Sequence, residues 1–340
     1  MKVSILGGGA VGITYAALLV NNGFEAMVYS ESSSAHAGNT IVEGAVEFHG
    51  SIPYTRSIET AVKHADVLLC ARCAGGVQSL IEEILPYIAP HQTLIFSAEL
   101  SLSSSYADMR LQSLGKRVPI ISWSTTVATA QRLSANHVIS GTLRSRIDYS
   151  VTSPHPANDS KALLESLFGP RFHPLPNALA VALSNLNPAI HLANSLANLT
   201  RIEKGERWDN YAGITPAVGR VIEALDGERM ALAERFGFQV RDVFEHYLQT
   251  FPGLAPGSVS EMAARVSEKG PTALGPRSID TRYLTEDIPY GLVPLVCLGE
   301  QAGVAMPLHN AGIRLACAYT GRDFFSENTM LPAIEGYWQK

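Results

Sequence analysis

Val3-Ser4-Ile5-Leu6-Gly7-Gly8-Gly9-Ala10-Val11-Gly12 opens this chain, and its reading decides the fold. The first four residues are a short apolar run of strand character. After the glycines, residues 10–22 carry Val11, Tyr15, Leu18 and Leu19 at helical spacing, and Ala26-Met27-Val28-Tyr29 is a second strand-like run. Strand, glycine turn, helix and strand make a βαβ unit with parallel strands. The glycines fit G-x-G-x-x-G in the setting that gives this pattern its meaning. Gly7 permits a tight turn, Gly9 lets the backbone approach a pyrophosphate, and Gly12 lets helix and strand pack closely. The N–H groups around Ala10 and Val11, with the helix dipole behind them, face the anion.

Working outward, strands are predicted at residues 67–70, 93–96, 118–122, 148–151 and 172–175, with helices at 58–64, 77–88 and 158–168 between them. That alternation predicts an α/β, doubly wound parallel sheet of the Rossmann type over residues 1–176. From Asn177 the period changes. Residues 177–199, 215–236, 240–248, 258–265, 292–302 and 309–318 are helical in spacing, so residues 177–340 are predicted to form an all-helical domain.

Two domains also suit 340 residues, of which 46% are apolar. A net charge of −5, with 17% charged residues spread evenly over both halves, argues against nucleic acid or an anionic membrane as a partner and for small-molecule ligands. No stretch nears 18 consecutive apolar residues, and the opening Met1-Lys2-Val3-Ser4-Ile5-Leu6 meets glycine before a signal-peptide core could form. A cytoplasmic protein with reduced thiols is expected. Cys70-x-x-Cys73 has the spacing of a redox pair but lacks its sequence context, which leaves free, partly buried thiols. The ten histidines form no ligand-spaced cluster, so no metal is expected.

The acid that would hold the ribose 2′-hydroxyl of NAD falls near position 30, where this chain has Ser30 followed by Glu31-Ser32-Ser33-Ser34. Serine repels a 2′-phosphate less than aspartate does, which weighs toward NADP(H) over NAD(H). Glu31 could still take the acid's place, and no arginine stands in this run. In the second domain, Asn185-Leu186-Asn187-Pro188-Ala189-Ile190-His191-Leu192-Ala193-Asn194 puts Pro188 at a helix start, with Asn187 as N-cap or kink. Asn187, His191, Asn194, Ser195 and Asn198 then share a face, and such a polar stripe is costly to bury unless paired or functional. Around Glu286-Asp287-Ile288-Pro289, one carboxylate can cap a helix or can orient His191 for proton transfer.

The glycine motif, the Asn187–Asn194 segment, Arg282-Tyr283-Leu284-Thr285-Glu286-Asp287-Ile288-Pro289-Tyr290-Gly291, Tyr211-Ala212-Gly213-Ile214-Thr215-Pro216 and Leu225-Asp226-Gly227-Glu228-Arg229 together resemble the opine dehydrogenase family, the octopine/nopaline dehydrogenase-like proteins. The resemblance implies a Rossmann domain, an all-helical domain and an active site in the cleft between them. It implies reductive condensation: a 2-oxo acid and an amino group form an imine, which NAD(P)H reduces. The catalytic pair would be His191 and Asp287, with Asn187, Asn194, Tyr211, Thr215 and a guanidinium from Arg132 or Arg282 around the substrate. Arg132 resembles the family's arginine after a threonine-rich strand end. Arg72, where the family has a small or apolar residue, and Ser97-Ala98-Glu99-Leu100, in place of a glycine-rich turn, fall where substrate and nicotinamide would meet. The resemblance allows a monomer or a homodimer, with residues 309–318 as a candidate surface.

A ketopantoate-reductase-like or 3-hydroxyacid dehydrogenase shares this plan but uses a lysine early in the second domain, and none lies between Lys161 and Lys204. A dinucleotide-binding sensor would lack the proton-transfer residue, whereas His191 and Asp287 are both present.

Overall fold

A computed structural model describes residues 1–31, 38–152, 157–270 and 273–334. The chain forms two compact units, one of Met1–Val181 with the described residues from Pro332 on, the other of Ala182–Leu331. Ser32, Ser33 and Ser34 lie outside the described residues.

The first unit contains strands β1 (Lys2–Leu6), β2 (Glu25–Tyr29), β3 (Thr40–Gly44), β4 (Phe48–Gly50), β5 (Tyr54–Thr55), β6 (Val67–Cys70), β7 (Thr93–Phe96), β8 (Ile120–Trp123), β9 (Ala128–Ser134), β10 (His137–Leu143), β11 (Ile147–Thr152) and β12 (Phe172–Pro174). Its helices are α1 (Ala10–Asn21), α2 (Ile58–His64), α3 (Val77–Ile84), α4 (Ser103–Ser113) and α5 (Ala157–Phe168), and α6 (Ala178–Leu183) leads into the second unit.

Eight strands form the main sheet in the order β12-β11-β8-β7-β6-β1-β2-β5. Val3, Ile5, Leu6, Leu68, Leu69, Leu94 and Ile95 are buried, so its central strands read as near-continuous apolar runs, as in strands covered on both faces, with the buried Ser4 hydroxyl satisfied by the Ala61 carbonyl. Every pairing is parallel except β8 with β11. β1 lies between β2 and β6, with Ile5 opposite Val28 on one side and Leu69 on the other. The chain reverses its winding there, and sheets of this kind bind ligands outside the carboxyl ends of the strands at that point.

Tyr15 ties α1 to those strand ends. Its ring meets Trp123 and Phe168 edge to face at 6.2 and 5.7 Å, while its hydroxyl bonds Ser97 Oγ at 2.7 Å and accepts from the Val127 N–H at 3.1 Å. Cys70 is buried, which pushes its thiol up to about 11, and Cys73 is exposed. Cys70 is therefore protonated and a poor nucleophile at neutral pH.

A second sheet, β4-β3-β10-β9, was not expected from the sequence. β9 and β10 form an irregular antiparallel hairpin, and β10 pairs in parallel with β3, about a hundred residues earlier. β9 is mostly polar and half-exposed, so it shows no apolar period, and a pairing of such separation leaves no local trace.

The second unit holds α7 (Asn187–Ala197), α8 (Leu199–Glu203), α9 (Pro216–Arg235), α10 (Val243–Thr250), α11 (Val259–Glu268), α12 (Arg282–Thr285), α13 (Val293–Ala302), α14 (Pro307–Thr320) and α15 (Met330–Ala333). The helix expected at residues 177–199 is broken over residues 184–186, because Pro188 near the start of α7 has no N–H to continue a helix. The N-cap is Leu186, not Asn187, whose own N–H donates to Asn185 Oδ1 at 3.2 Å. A π-helical turn, Ile288–Leu292, precedes α13.

The Leu225–Arg229 motif braces this unit. Arg229 is fully buried; its Nε and Nη2 donate to Asp226 Oδ1 at 2.8 and 2.6 Å, and it also donates to the carbonyls of Leu183 and Arg241. Asp226 Oδ2 accepts the Val243 N–H. Glu228 accepts the Leu308 and His309 N–H groups and bonds His309 Nδ1 at 2.7 Å, fixing the start of α14. Along α14, Leu308, Leu315 and Tyr319 are exposed.

Candidate functional site

β1 ends at Leu6 and α1 begins at Ala10, so the glycine turn sits at the carboxyl end of the central strand. Gly7 has φ +143°, and a Cβ there would lie 2.5 Å from the Ala71 carbonyl oxygen. At Gly12 a Cβ would lie 1.9 Å from the Gly7 oxygen, so neither position admits another residue without moving backbone. Above Gly9, by contrast, the space is open. No side chain caps α1 and its first turn carries no acid, so its leading N–H groups, those of Ala10 and Val11 included, and its dipole remain for an anion. A dinucleotide pyrophosphate fits this turn.

At the end of β2, the Ser30 N–H donates to the Thr55 carbonyl. Glu31 follows, and Arg72, arriving from the end of β6, reaches it through Nη1 at 2.8 Å and Nη2 at 3.4 Å. The guanidinium holds the Glu31 carboxyl below the usual carboxylate range. Sequence reading found no arginine in the serine run; the parallel pairing of β2 and β6 with β1 supplies one.

Arg132 projects from β9. Its Nη1 donates to the Ala135 carbonyl at 2.6 Å and its Nη2 to the Gly8 carbonyl, so it braces the glycine turn.

The Ser97–Leu100 segment forms a strained corner after β7. Ala98, Ser101 and Leu102 have φ of 59°, 59° and 53°, a region costly to side chains with a Cβ. Glu99 is buried there, its Oε1 accepting from Ser103 Oγ at 2.9 Å and the Ser104 N–H at 3.3 Å. Burial pushes this carboxyl up to about 7 against the opposing effect of those serines.

In the helical unit, His191 lies one turn into α7 and Asp287 stands just before the π-helical turn. His191 Nδ1 meets Asp287 Oδ2 at 2.6 Å, and both side chains are mostly buried. Bonding to Asp287 assigns the proton to Nδ1 in the neutral ring, leaving Nε2 as the exchangeable site. Among the described residues Nε2 makes no hydrogen bond. Tyr283, which sequence reading did not single out, lies flat on the imidazole with ring centroids 3.6 Å apart and planes 4° from parallel.

The polar stripe divides. Asn194 is buried and its amide donates to Asn210 O and Oδ1, while Asn198 Nδ2 donates to Asn194 O, Asn194 Oδ1 and Gly213 O. These asparagines lock α7 onto the loop before α9; the unpaired polar groups that motivated a binding role for Asn194 are thus satisfied internally. Asn187 is half-buried. Arg282 is exposed, with its Nε on Glu286 Oε2, so Glu286 pairs with Arg282 while Asp287 faces the histidine. Tyr211 packs edge to face on Tyr247 and Phe251. Thr215 is the exposed N-cap residue of α9, with no side-chain capping bond.

Among the described residues no group of three or more His, Cys, Asp or Glu side chains could hold a metal ion, and no helix is long and apolar enough to cross a membrane.

Residues 174–320 match the alpha-helical domain of the NAD/NADP octopine/nopaline dehydrogenase family. An opine dehydrogenase of Arthrobacter sp. (strain 1C) is 29% identical over 282 residues, 82% of this chain and 78% of that protein. Among solved structures, octopine dehydrogenase with NADH and L-arginine aligns over 94% of this chain and 90% of its own, with a TM-score of 0.78 and 21% identity. Yersinopine dehydrogenase with NADP+ aligns over 100% and 99%, with a TM-score of 0.75 and 17% identity. A glycine turn at the switch point of a Rossmann-type sheet, joined to this helical domain, defines an oxidoreductase that uses a nicotinamide dinucleotide. The chain is similar to opine dehydrogenases over most of its length, and its residues 174–320 carry the alpha-helical domain of that family.

Proposed function

We propose that this protein condenses the amino group of an amino acid or amine with a 2-oxo acid and reduces the resulting imine to a secondary-amine dicarboxylate or its amine counterpart, with His191 as acid and base. The observation that carries the reading is the His191–Asp287 pair, fixed at 2.6 Å and leaving Nε2 without a partner.

Attack of the amine on the oxo carbon gives a carbinolamine. The attacking nitrogen gives up a proton to His191 Nε2, and return of that proton to the carbinolamine hydroxyl lets water leave as the C=N bond forms. Asp287 holds the ring by Nδ1 and stabilises the imidazolium that arises when Nε2 takes up a proton. Bound NAD(P)H supplies the hydride that reduces the imine carbon. Gly7, Gly9, Ala10, Val11 and Gly12 would hold its pyrophosphate. NADP(H) is favoured over NAD(H) in this reading, because Ser30 brings no charge against a 2′-phosphate and Arg72 offers a guanidinium to it. Arg282, exposed and paired through Nε with Glu286, is a candidate for a substrate carboxylate, together with Arg132, Asn187, Tyr211 and Thr215, as the family resemblance suggests.

The test is oxidation of NADPH and NADH at 340 nm with 2-oxo acids (pyruvate, 2-oxoglutarate, glyoxylate) crossed with amino acids, alongside His191→Ala. Turnover that needs both substrates and is lost in the variant supports the reading. Reduction of a 2-oxo acid alone would replace it with a hydroxyacid dehydrogenase, and dinucleotide binding without turnover would point to a sensor.

A further inference from the structure

We infer that Tyr283 is a positioning residue that fixes the plane of the His191 ring, so that Asp287 and Tyr283 together aim Nε2 in one direction. The inference rests on the proposed acid–base role of His191. A single hydrogen bond from Nδ1 leaves an imidazole free to swing about the bond axis. The second constraint comes from the same segment of chain. Tyr283 and Asp287 are four residues apart, on either side of Glu286, which ends α12; the Glu286 N–H donates to the Arg282 carbonyl and the Tyr290 N–H to the Glu286 carbonyl. Residues at that spacing share a face, so one holds the edge of the ring and the other covers its plane.

The run is itself anchored. Thr281 Oγ1 accepts the Tyr283 N–H, Thr285 Oγ1 donates to the Thr281 carbonyl, and Leu284 is fully buried. These contacts fix the backbone from which the phenol reaches the imidazole.

The geometry of the stack is unlike that of the core rings. Tyr15, Trp123 and Phe168 meet edge to face at 5.4 to 6.2 Å, the arrangement two neutral rings prefer. Tyr283 and His191 are nearly eclipsed at 3.6 Å. Face-to-face contact of an electron-rich phenol becomes attractive when the other ring is cationic, the form a general acid takes before it gives up its proton. Burial, together with Tyr211 and Asp287, pushes the Tyr283 hydroxyl up to about 12, so the phenol stays neutral beside the imidazole.

The experiment compares wild type with Tyr283→Leu, Tyr283→Phe and His191→Ala. Steady-state kinetics with the productive oxo acid and amine should show kcat about 100-fold lower in Tyr283→Leu, the cost of a misaimed catalytic group, with KM for NAD(P)H and substrates within about 2-fold of wild type. Tyr283→Phe keeps the ring and should recover most of the lost kcat. NMR relaxation of the His191 ring reads the same idea without turnover: a rigid ring in wild type and Tyr283→Phe, a mobile one in Tyr283→Leu. Equal kcat in Tyr283→Leu and wild type, or an equally rigid His191 ring in all three proteins, would overturn the inference. A wild type without two-substrate turnover would sink the proposed reaction, and the NMR comparison would still decide whether Tyr283 sets the ring.

Discussion

Replacing Glu99 by glutamine should remove a pH dependence from the stability of the first unit. The carboxyl is buried at the strained corner after β7, its folded value is raised from 4.5 to about 7, and burial is the largest cause. Below pH 4.5 the group is protonated whether the chain is folded or unfolded, and its contribution to stability is complete. As pH rises toward 7, the unfolded chain ionises first and gains free energy that the folded chain cannot match, so stability falls. The gap between 4.5 and about 7 corresponds to about 3 kcal/mol, lost across that window and constant above it. Glutamine keeps an oxygen for Ser103 Oγ and the Ser104 N–H but does not titrate. It also puts an amide where Glu99 Oε2 has no partner, which shifts stability by an amount independent of pH. The reading is therefore the slope. Urea unfolding followed by tryptophan fluorescence, in steps from pH 4.5 to 7.5, should show Glu99→Gln gaining about 3 kcal/mol relative to wild type across the range. Parallel curves for the two proteins would refute the argument.

Four further outcomes can be checked. Ala98→Gly should raise the stability of the same unit by about 1 kcal/mol by relieving the left-handed backbone at φ 59°, seen as a higher urea midpoint. Gly12→Ala should lose dinucleotide affinity at least 10-fold by calorimetry, because its Cβ would displace the Gly7 carbonyl that shapes the turn. Arg72→Ala should raise KM for NADPH about 10-fold while leaving KM for NADH within 2-fold, since a guanidinium–phosphate bond carries roughly 1.5–3 kcal/mol; equal effects on the two cofactors would remove Arg72 from the 2′-phosphate. Asp287→Asn should lower kcat at least 100-fold with little change in folding, by disturbing the tautomer and charge balance of His191.

The fold class was legible from local signals. Buried parallel strands are continuous apolar runs, the glycine turn has a fixed spacing, and the helical half has its own period, so residues 3–12 and the change near residue 177 were enough to predict both kinds of domain. His191 and Asp287 were legible as chemistry in a motif, although only the folded chain shows that Asp287, and not its neighbour Glu286, meets the imidazole. The β9–β10 hairpin and its pairing with β3 were not legible, because half-exposed polar strands carry no periodic pattern and their partner lies far off in sequence.

Sequence alone determined which groups exist and which local conformations they allow: glycines where a Cβ would collide with backbone, a proline that ends α6 and starts α7, and a histidine, an aspartate and a tyrosine in two separate motifs. Tertiary structure decided what those groups do to one another. It brought Arg72 to Glu31 across three adjacent parallel strands, turned Asn194 and Asn198 inward to hold a loop, buried Glu99, and laid Tyr283 flat on His191. Direction, distance and burial arise from packing between segments distant in the chain, and no local spacing specifies them.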